Sequence, residues 1–287
     1  MSERRLVGLI GINIGKSLSP FLHEDAFAAA GVIGHYHLMD VSVLQGRRLE
    51  DLLAAARTAG FAGVNVTQPF KEAVIPLLDA VAEEAREIGA VNTVVFDRNG
   101  RTTGHNTDCS GFRQAFIEAL GEHAARDQAV LLLGGGGAGR AVAFALMSLG
   151  VATLKIFDQD LARATGLCAD LIARFGAGRC EPVSDPEAAA GSVAGIVNAT
   201  PVGMAGNPGV PLPTHLVQPA QFVADVIYTP IDTEFVLAAR TKGCRTMNGG
   251  GMCVHQAVDA FRHFTGWAPD VERMRRRFAS ALAERDA

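Results

Sequence analysis

The sequence predicts an α/β protein of two domains, the second built on a doubly wound parallel sheet, and three features predict it. The 287 residues are about twice a common domain length, so each half can bury a core. Short apolar runs alternate with longer segments of helical period along the chain. The 32 glycines concentrate at 134–139 and 249–251, where a backbone must turn tightly or come close to a ligand. A hydrophobic fraction of 48% with 20% charged residues excludes a disordered chain. The net charge of −4, with Lys and Arg scattered, leaves no basic footprint for nucleic acid or an anionic membrane. No apolar run approaches the ~20 residues that span a bilayer, and the N-terminus leads straight into a strand-like segment. A cytoplasmic protein with small-molecule partners is expected, and a homodimer is left open. Five cysteines, with no C-x-x-C pair, argue against a disulfide framework and against zinc, so buried thiols and no metal are expected.

LVGLIGIN and HYHLMDV read as strands with a helix, PFLHEDAFAAAG, between them; RLEDLLAAARTAG is a second helix before the strand FAGVNVT. Pro20 can begin the first helix, and the hydroxyls of Ser17 and Ser19 can cap it. A helical stretch is expected from Lys71 to about Ile88. Two strands around Asn99-Gly100, a pair that tolerates positive φ, then make a hairpin near 91–106. Residues 110–120 are helical, and the polar interval after Gly121 puts the domain change near 110–127. Beyond it come a strand at 129–134, a glycine turn and helix, the strand TLKIFD, a helix at 161–175, and the strands AGIVNAT and FVADVIY. A helix from about Met252 to Phe264 and an amphipathic tail at 270–284 can pack back on the first domain. The division is therefore 1–110 completed by 252–287, and 111–251.

Gly134, Gly136 and Gly139 follow an apolar strand and open an alanine-rich helix, with Gly137 and Ala138 at the same helix N-terminus. In this context the first glycine permits the tight turn, the second lets the backbone approach a pyrophosphate, and the third lets helix and strand pack closely. This is a Rossmann-type dinucleotide site. Asp158, 19 residues past Gly139, stands where an acid binds a ribose 2′-hydroxyl, and Asp160 adds a second negative charge. Both favour NAD over NADP by repelling a 2′-phosphate. Arg163 is the counter-argument, being near enough in sequence to reach a phosphate.

Asn65, Thr67 and Lys71 in NVTQPFK follow a strand and would project at its carboxyl end, where α/β sheets gather ligands. Asn92 and Asp108 are individually unremarkable as turn and surface residues. Together, GKSLSP, NVTQPFK, GAVNT, GHNTD, GGGGAG, NATPVGM, DVIYTP and GGGMCVHQA, in that order, resemble the shikimate dehydrogenase family through nearly the whole chain. The resemblance implies an N-terminal substrate-binding domain, a nucleotide domain, and reversible oxidation of the C3 hydroxyl of shikimate to 3-dehydroshikimate. It implies substrate contacts at Ser17, Ser19, Thr67, Asn92, Tyr228 and Gln256, and a catalytic pair, Lys71 and Asp108. Thr200 in NATPVGM and Gly251 are implied on the cofactor side, Gly251 and Tyr228 near the nicotinamide.

The residue types suit that chemistry. Oxidising an alcohol needs a group within hydrogen-bond reach to take the hydroxyl proton. An ionised Asp108 raises the Lys71 pKa and desolvation lowers it, so the acceptor is assigned to the pair. Hydroxyls and amides suit a polyhydroxylated carboxylate, because any missing partner leaves a buried polar group unpaired. The acidic FDQD, and the stretches GHNTDCSGF and HQAVDAFRHFTG, are similar to those of NAD-linked quinate/shikimate enzymes, which implies quinate as a second substrate. GKSLSP keeps both serines, as in the strict shikimate enzymes of aromatic amino acid biosynthesis, and keeps that alternative alive. A dinucleotide-binding regulator without turnover is the rival from another class; it predicts a broken Lys–Asp pair, and both members are present. His23, His105 and His255 show no metal-site spacing and are read as structural.

Overall fold

The protein is described by a computed structural model over residues 3–44 and 46–286. Two compact units share the chain, one running to Thr107 and resuming at Val254, the other Asp108–Cys253. Both crossings run through helices.

In the first unit, β1 (Arg4–Gly11), α1 (Ser19–Ala29), β2 (Ile33–Asp40), α2 (Leu49–Thr58), β3 (Gly63–Val66), β4 (Ala80–Val81), α3 (Glu83–Ile88), β5 (Thr93–Phe96) and β6 (Thr102–His105) follow in order. The sheet order is β2-β1-β3-β5-β6-β4. β1 runs parallel to β2 and β3, whereas β5 is antiparallel to both β3 and β6. The helix expected from Lys71 to Ile88 is broken. Pro76 lacks an N–H and disfavours helix at the residue before it, so only a 3₁₀ turn forms at Ile75–Leu77. Asp79 and Thr102 then exchange hydrogen bonds, Asp79 N to Thr102 Oγ1 and Thr102 N to Asp79 Oδ2, both 2.8 Å, and seat Ala80–Val81 against β6. The capping role expected of Ser17 and Ser19 also changes. Leu18 is the N-cap and carries no capping hydrogen bond, Ser19 is the first helical residue, and its amide donates to Ser17 Oγ at 3.3 Å.

In the second unit, α4 (Thr107–Leu120) is followed by β7 (Ala129–Leu133), α5 (Gly137–Ser148), β8 (Thr153–Phe157), α6 (Leu161–Phe175), β9 (Cys180–Pro182), α7 (Pro186–Ala190), β10 (Gly195–Asn198), β11 (Phe222–Asp225), α8 (Glu234–Thr241) and β12 (Arg245–Met247). The strands are all parallel, in the order β12-β11-β10-β7-β8-β9. Renumbered from β7 this is the 3-2-1-4-5-6 order of the dinucleotide fold, whose strand order reverses beside β7. Leu131, Leu133, Ile196, Val223 and Phe235 fill one face of the sheet, as strands covered on both sides require. The expectation of five unpaired thiols is overturned. Cys168 of α6 and Cys180 of β9 form a disulfide, with Cα atoms 5.3 Å apart, while Cys109, Cys244 and Cys253 are buried thiols outside any disulfide. Sequence spacing could not show this, because the packing of α6 on β9 makes the pair.

α9 (Gly249–Thr265) and α10 (Val271–Asp286) close the chain. α10 packs on α1, where Arg273 donates to both carboxylate oxygens of Asp25 at 2.6 and 2.8 Å. Gly63 in β3 lies against Phe264 of α9, and a Cβ there would come within 2.5 Å of the ring. Among the described residues no helix is long and apolar enough to cross a membrane.

Candidate functional site

The glycine turn of the second unit is built by close approach. Gly134 ends β7 with φ +97°, a conformation that favours glycine, and its amide donates to Phe157 O at 2.8 Å. A Cβ on Gly139 would lie 2.0 Å from Gly134 O, so only glycine lets α5 begin so near the strand. A Cβ on Gly136, by contrast, would meet nothing within 4 Å. The turn thus faces open space at the N-terminus of α5, where Gly137, Ala138 and Gly139 lie in the first turn, whose amides have no partners within the helix. Asp158 stands just past β8. Its Oδ2 accepts the Gly135 amide at 2.8 Å and its Oδ1 accepts the Asp160 amide at 2.9 Å. A carboxylate so held keeps lone pairs for hydroxyl donors beside the glycine turn. Arg163 lies 3.5 Å from Asp158 Oδ1, and Asp160 caps α6 by accepting the Ala162 amide at 3.0 Å. These residues fit a dinucleotide whose pyrophosphate meets the helix and whose ribose meets Asp158.

Across the switch point, β10 and β11 end in buried polar residues. Asn198 Oδ1 accepts from Thr200 N at 3.0 Å and Thr200 Oγ1 at 2.7 Å, and its Nδ2 donates to both carboxylate oxygens of Asp225, at 3.1 and 3.2 Å. Asp225 also accepts from Ile227 N at 3.0 Å and Thr233 Oγ1 at 2.8 Å. Burial pushes its carboxyl up to about 6, against the downward pull of these donors. The network fixes the loops that carry Thr200 and, directly after Ile227, the half-buried Tyr228. Gly251 in α9 has a packing reason of its own, since a Cβ there would meet Ala115 Cβ of α4 at 3.0 Å.

In the first unit one edge of the sheet gathers the expected substrate residues. β1 ends at Gly11, and the turn after it carries Ser17 and leads into α1 at Ser19, the two hydroxyls lying 3.2 Å apart. β3 runs parallel to β1 and ends beside it, and Thr67 N donates to Ile10 O at 3.0 Å. Because β5 is antiparallel to β3, its start lies at the same edge, which puts Asn92 there. The amide of Val91 donates to Lys71 O at 2.8 Å, joining the lysine segment to it. Lys71, Ser17, Ser19 and Thr67 are half-buried, as is Gln256 on α9. Asp108, 5% exposed, sits in the first turn of α4 directly after Thr107. The orientation of Asn92 follows from one atom. The backbone N–H of Thr107 can only donate, so the Asn92 atom 2.8 Å from it is Oδ1, and Nδ2 is left to donate.

A family model described as the shikimate dehydrogenase substrate binding domain matches residues 9–94. A quinate/shikimate dehydrogenase (NAD(+)) of Corynebacterium efficiens is 45% identical over 279 residues, 96% of this chain and 98% of that protein. The chain belongs to the shikimate dehydrogenase family. A shikimate dehydrogenase (NADP(+)) of Streptomyces avermitilis is 48% identical, with 94% of this chain and 93% of that one covered. A solved quinate dehydrogenase from Corynebacterium glutamicum in complex with NAD is similar at TM-score 0.90 and 44% identity, covering 97% of this chain and 100% of that chain.

Against this family background, the sequence reading missed the buried residues behind the site. Asn65 lies inside β3 instead of beyond it, and Tyr36, Thr93, Thr107, Asn198 and Asp225 drew no assignment. A usable signal existed: uncharged or acidic polar residues at strand ends within otherwise apolar runs, as in GVNV and FVAD. The three histidines beside motif residues have structural surroundings. His23 is fully buried, stacked 4.7 Å from Tyr36, and held near pKa about 3 by desolvation. His105 stacks on His263 at 4.0 Å and is lowered to about 4, by burial first and its neighbour second. His255 Nε2 lies 2.8 Å from Arg275 Nη2, a guanidinium donor.

Proposed function

We propose that this chain catalyses the reversible oxidation of the C3 hydroxyl of shikimate to 3-dehydroshikimate, and of quinate to 3-dehydroquinate, with NAD as the preferred cofactor. The observation that carries the reading is the gathering of Ser17, Ser19, Thr67, Lys71 and Asn92 on one sheet edge, in a chain that matches NAD-linked quinate/shikimate enzymes from end to end. NAD, when bound, supplies the hydride acceptor. Gly136, Gly137, Ala138 and Gly139 would hold its pyrophosphate, and Asp158 its ribose hydroxyls, which a 2′-phosphate would replace with like charge. Thr200, Tyr228 and Gly251 would line its nicotinamide end, with Arg163, half exposed and 3.5 Å from Asp158, beside the ribose.

Lys71 takes the proton of the reacting hydroxyl, and Asp108 orients the amine and that hydroxyl. Asn92 donates an N–H to a substrate oxygen, while Ser17, Ser19, Thr67 and Gln256 bind the remaining hydroxyls and the carboxylate. A second reading, a strict NADP-linked shikimate enzyme, is favoured by the likeness to the Streptomyces avermitilis protein and by the two serines of GKSLSP. Initial rates of nicotinamide reduction, with shikimate or quinate against NAD or NADP, separate the two. Activity on both acids with NAD is the expected result. Activity confined to shikimate with NADP selects the second reading, and silence on all four combinations removes both.

A further inference from the structure

The hydrogen bonds behind Asn92 form a chain anchored by two backbone groups that cannot exchange roles, the Thr107 N–H and Asn92 O. Asn92 Oδ1 accepts the Thr107 amide at 2.8 Å and also Thr93 Oγ1 at 3.0 Å. Thr93 Oγ1 also lies 3.4 Å from Thr107 Oγ1, and it accepts from Asn65 Nδ2, which can only donate, at 2.9 Å. The other Nδ2 hydrogen of Asn65 goes to Asn92 O at 3.2 Å, so the Asn65 amide cannot turn over without losing both bonds. Its Oδ1 therefore faces Tyr36, whose hydroxyl donates to it at 2.8 Å. Tyr36 is 2% exposed, Asn65 6%, Asn92 3% and Thr93 0%, so no member trades its partner for bulk water. At the near end, one Nδ2 hydrogen of Asn92 goes to Thr107 Oγ1 at 3.0 Å and the second is committed to no protein group.

We infer that Tyr36, Asn65 and Thr93 are positioning residues of the dehydrogenase, holding Asn92 with its amide N–H turned to the substrate and fixing Thr107, and with it the first turn of α4 that carries Asp108. The inference rests on the proposed function for its kinetic consequence, though the orientation of the amide does not. A flipped Asn92 would set Nδ2 against the Thr107 N–H and offer an oxygen to the substrate. The Thr107 N–H sets the orientation against that flip, and Tyr36, Asn65 and Thr93 brace it from behind. Asn92 O, which can only accept, takes a hydrogen of Asn65 Nδ2 and so turns Asn65 Oδ1 to the Tyr36 hydroxyl, while Thr93 Oγ1 accepts from the same Nδ2 and donates to Asn92 Oδ1. Loss of the phenol leaves Asn65 Oδ1 buried without its donor, which loosens Asn65 and, through Thr93, the placement of Asn92.

The test uses Tyr36→Phe, Thr93→Val and Thr93→Ser in the full chain. Tyr36→Phe and Thr93→Val are expected to lower kcat with shikimate about tenfold through misplacement of the reacting hydroxyl. KM for NAD stays within about twofold, and the deuterium isotope effect on kcat/KM from C3-deuterated shikimate rises as hydride transfer becomes the slow step. Thr93→Ser, which keeps the hydroxyl, restores the rate. A fall in kcat with an unchanged isotope effect and a lowered unfolding midpoint reduces these residues to structural ones and overturns the inference, as does an unchanged kcat. Side-chain amide NMR of the ¹⁵N-labelled chain gives a reading that needs no turnover. The Asn92 NH₂ protons are expected to be protected from exchange in the wild type and less so in Tyr36→Phe, and equal protection overturns the inference. A silent wild type with a protected Asn92 would sink the proposed substrate while leaving the positioning chain standing.

Discussion

At the scale of single residues, the first unit holds polar and aromatic side chains with distinct tasks. In the proposed mechanism Lys71 accepts the hydroxyl proton, so Lys71→Ala should lower turnover by about 10²–10⁴-fold while NAD affinity, measured by calorimetry, changes little. Near-normal turnover would remove the lysine from the mechanism. His23 shows the opposite kind of role. Both its ring nitrogens are buried without a hydrogen-bond partner, a cost of about 1–3 kcal/mol, and the ring is enclosed by Tyr36, Phe261 and Phe264. Burial lowers its pKa from 6.5 to about 3, so the stability tied to the neutral ring is complete above pH 6.5 and is lost as pH falls toward 3, where only the unfolded chain takes up the proton. His23→Phe should therefore stabilise the protein in urea unfolding, and its advantage should grow by about 2 kcal/mol between pH 8 and pH 5. A pH-independent difference would mean that His23 is protonated in the folded state or already neutral in the unfolded one.

Among elements, the turn from β7 into α5 separates two uses of glycine. Gly139 is required by the fold, because a Cβ would run into the Gly134 carbonyl, whereas nothing in the protein touches a Cβ on Gly136. Gly139→Ala should lower the unfolding midpoint and weaken NAD together. Gly136→Ala should leave the midpoint within about 1 °C, since surface substitutions change stability by less than ~0.5 kcal/mol, yet weaken NAD at least about tenfold by standing where the pyrophosphate approaches. If Gly136→Ala binds NAD normally, the pyrophosphate does not lie across that residue. The same comparison explains why the helix expected after Lys71 failed while α6 was legible. Pro76 interrupts an otherwise periodic stretch and the side chains of Asp79 and Thr102 supply strand partners for it, whereas residues 161–175 carry an N-cap aspartate, an unbroken apolar period and a terminal glycine.

For the molecule as a whole, the first unit depends on residues at both ends of the chain. Met274, Phe278 and Ala281 of α10 are buried, and Arg273 holds Asp25, keeping its carboxyl below the usual range chiefly through their hydrogen bonds. Deleting residues 266–287 should cost that unit about 3–6 kcal/mol from the two large side chains alone, with little from the exposed ion pair. NAD binding, proposed for Asp108–Cys253, should survive the deletion; its loss would show that the units do not fold independently. What the sequence by itself determined was whatever is written locally. The alternation of apolar runs, the glycine turn with its acid 19 residues on, and the family motifs were sufficient for the two α/β units, a doubly wound parallel sheet and the membership of the family, because period, turn chemistry and motif order are properties of neighbouring residues. Only the tertiary structure decided the Cys168–Cys180 disulfide, the buried Asp225 with Asn198, and the chain from Tyr36 through Asn65 and Thr93 to Asn92. Each joins residues that are remote in sequence or leave no periodic trace, and whether a polar side chain is buried with a partner depends on which strands and helices pack beside it.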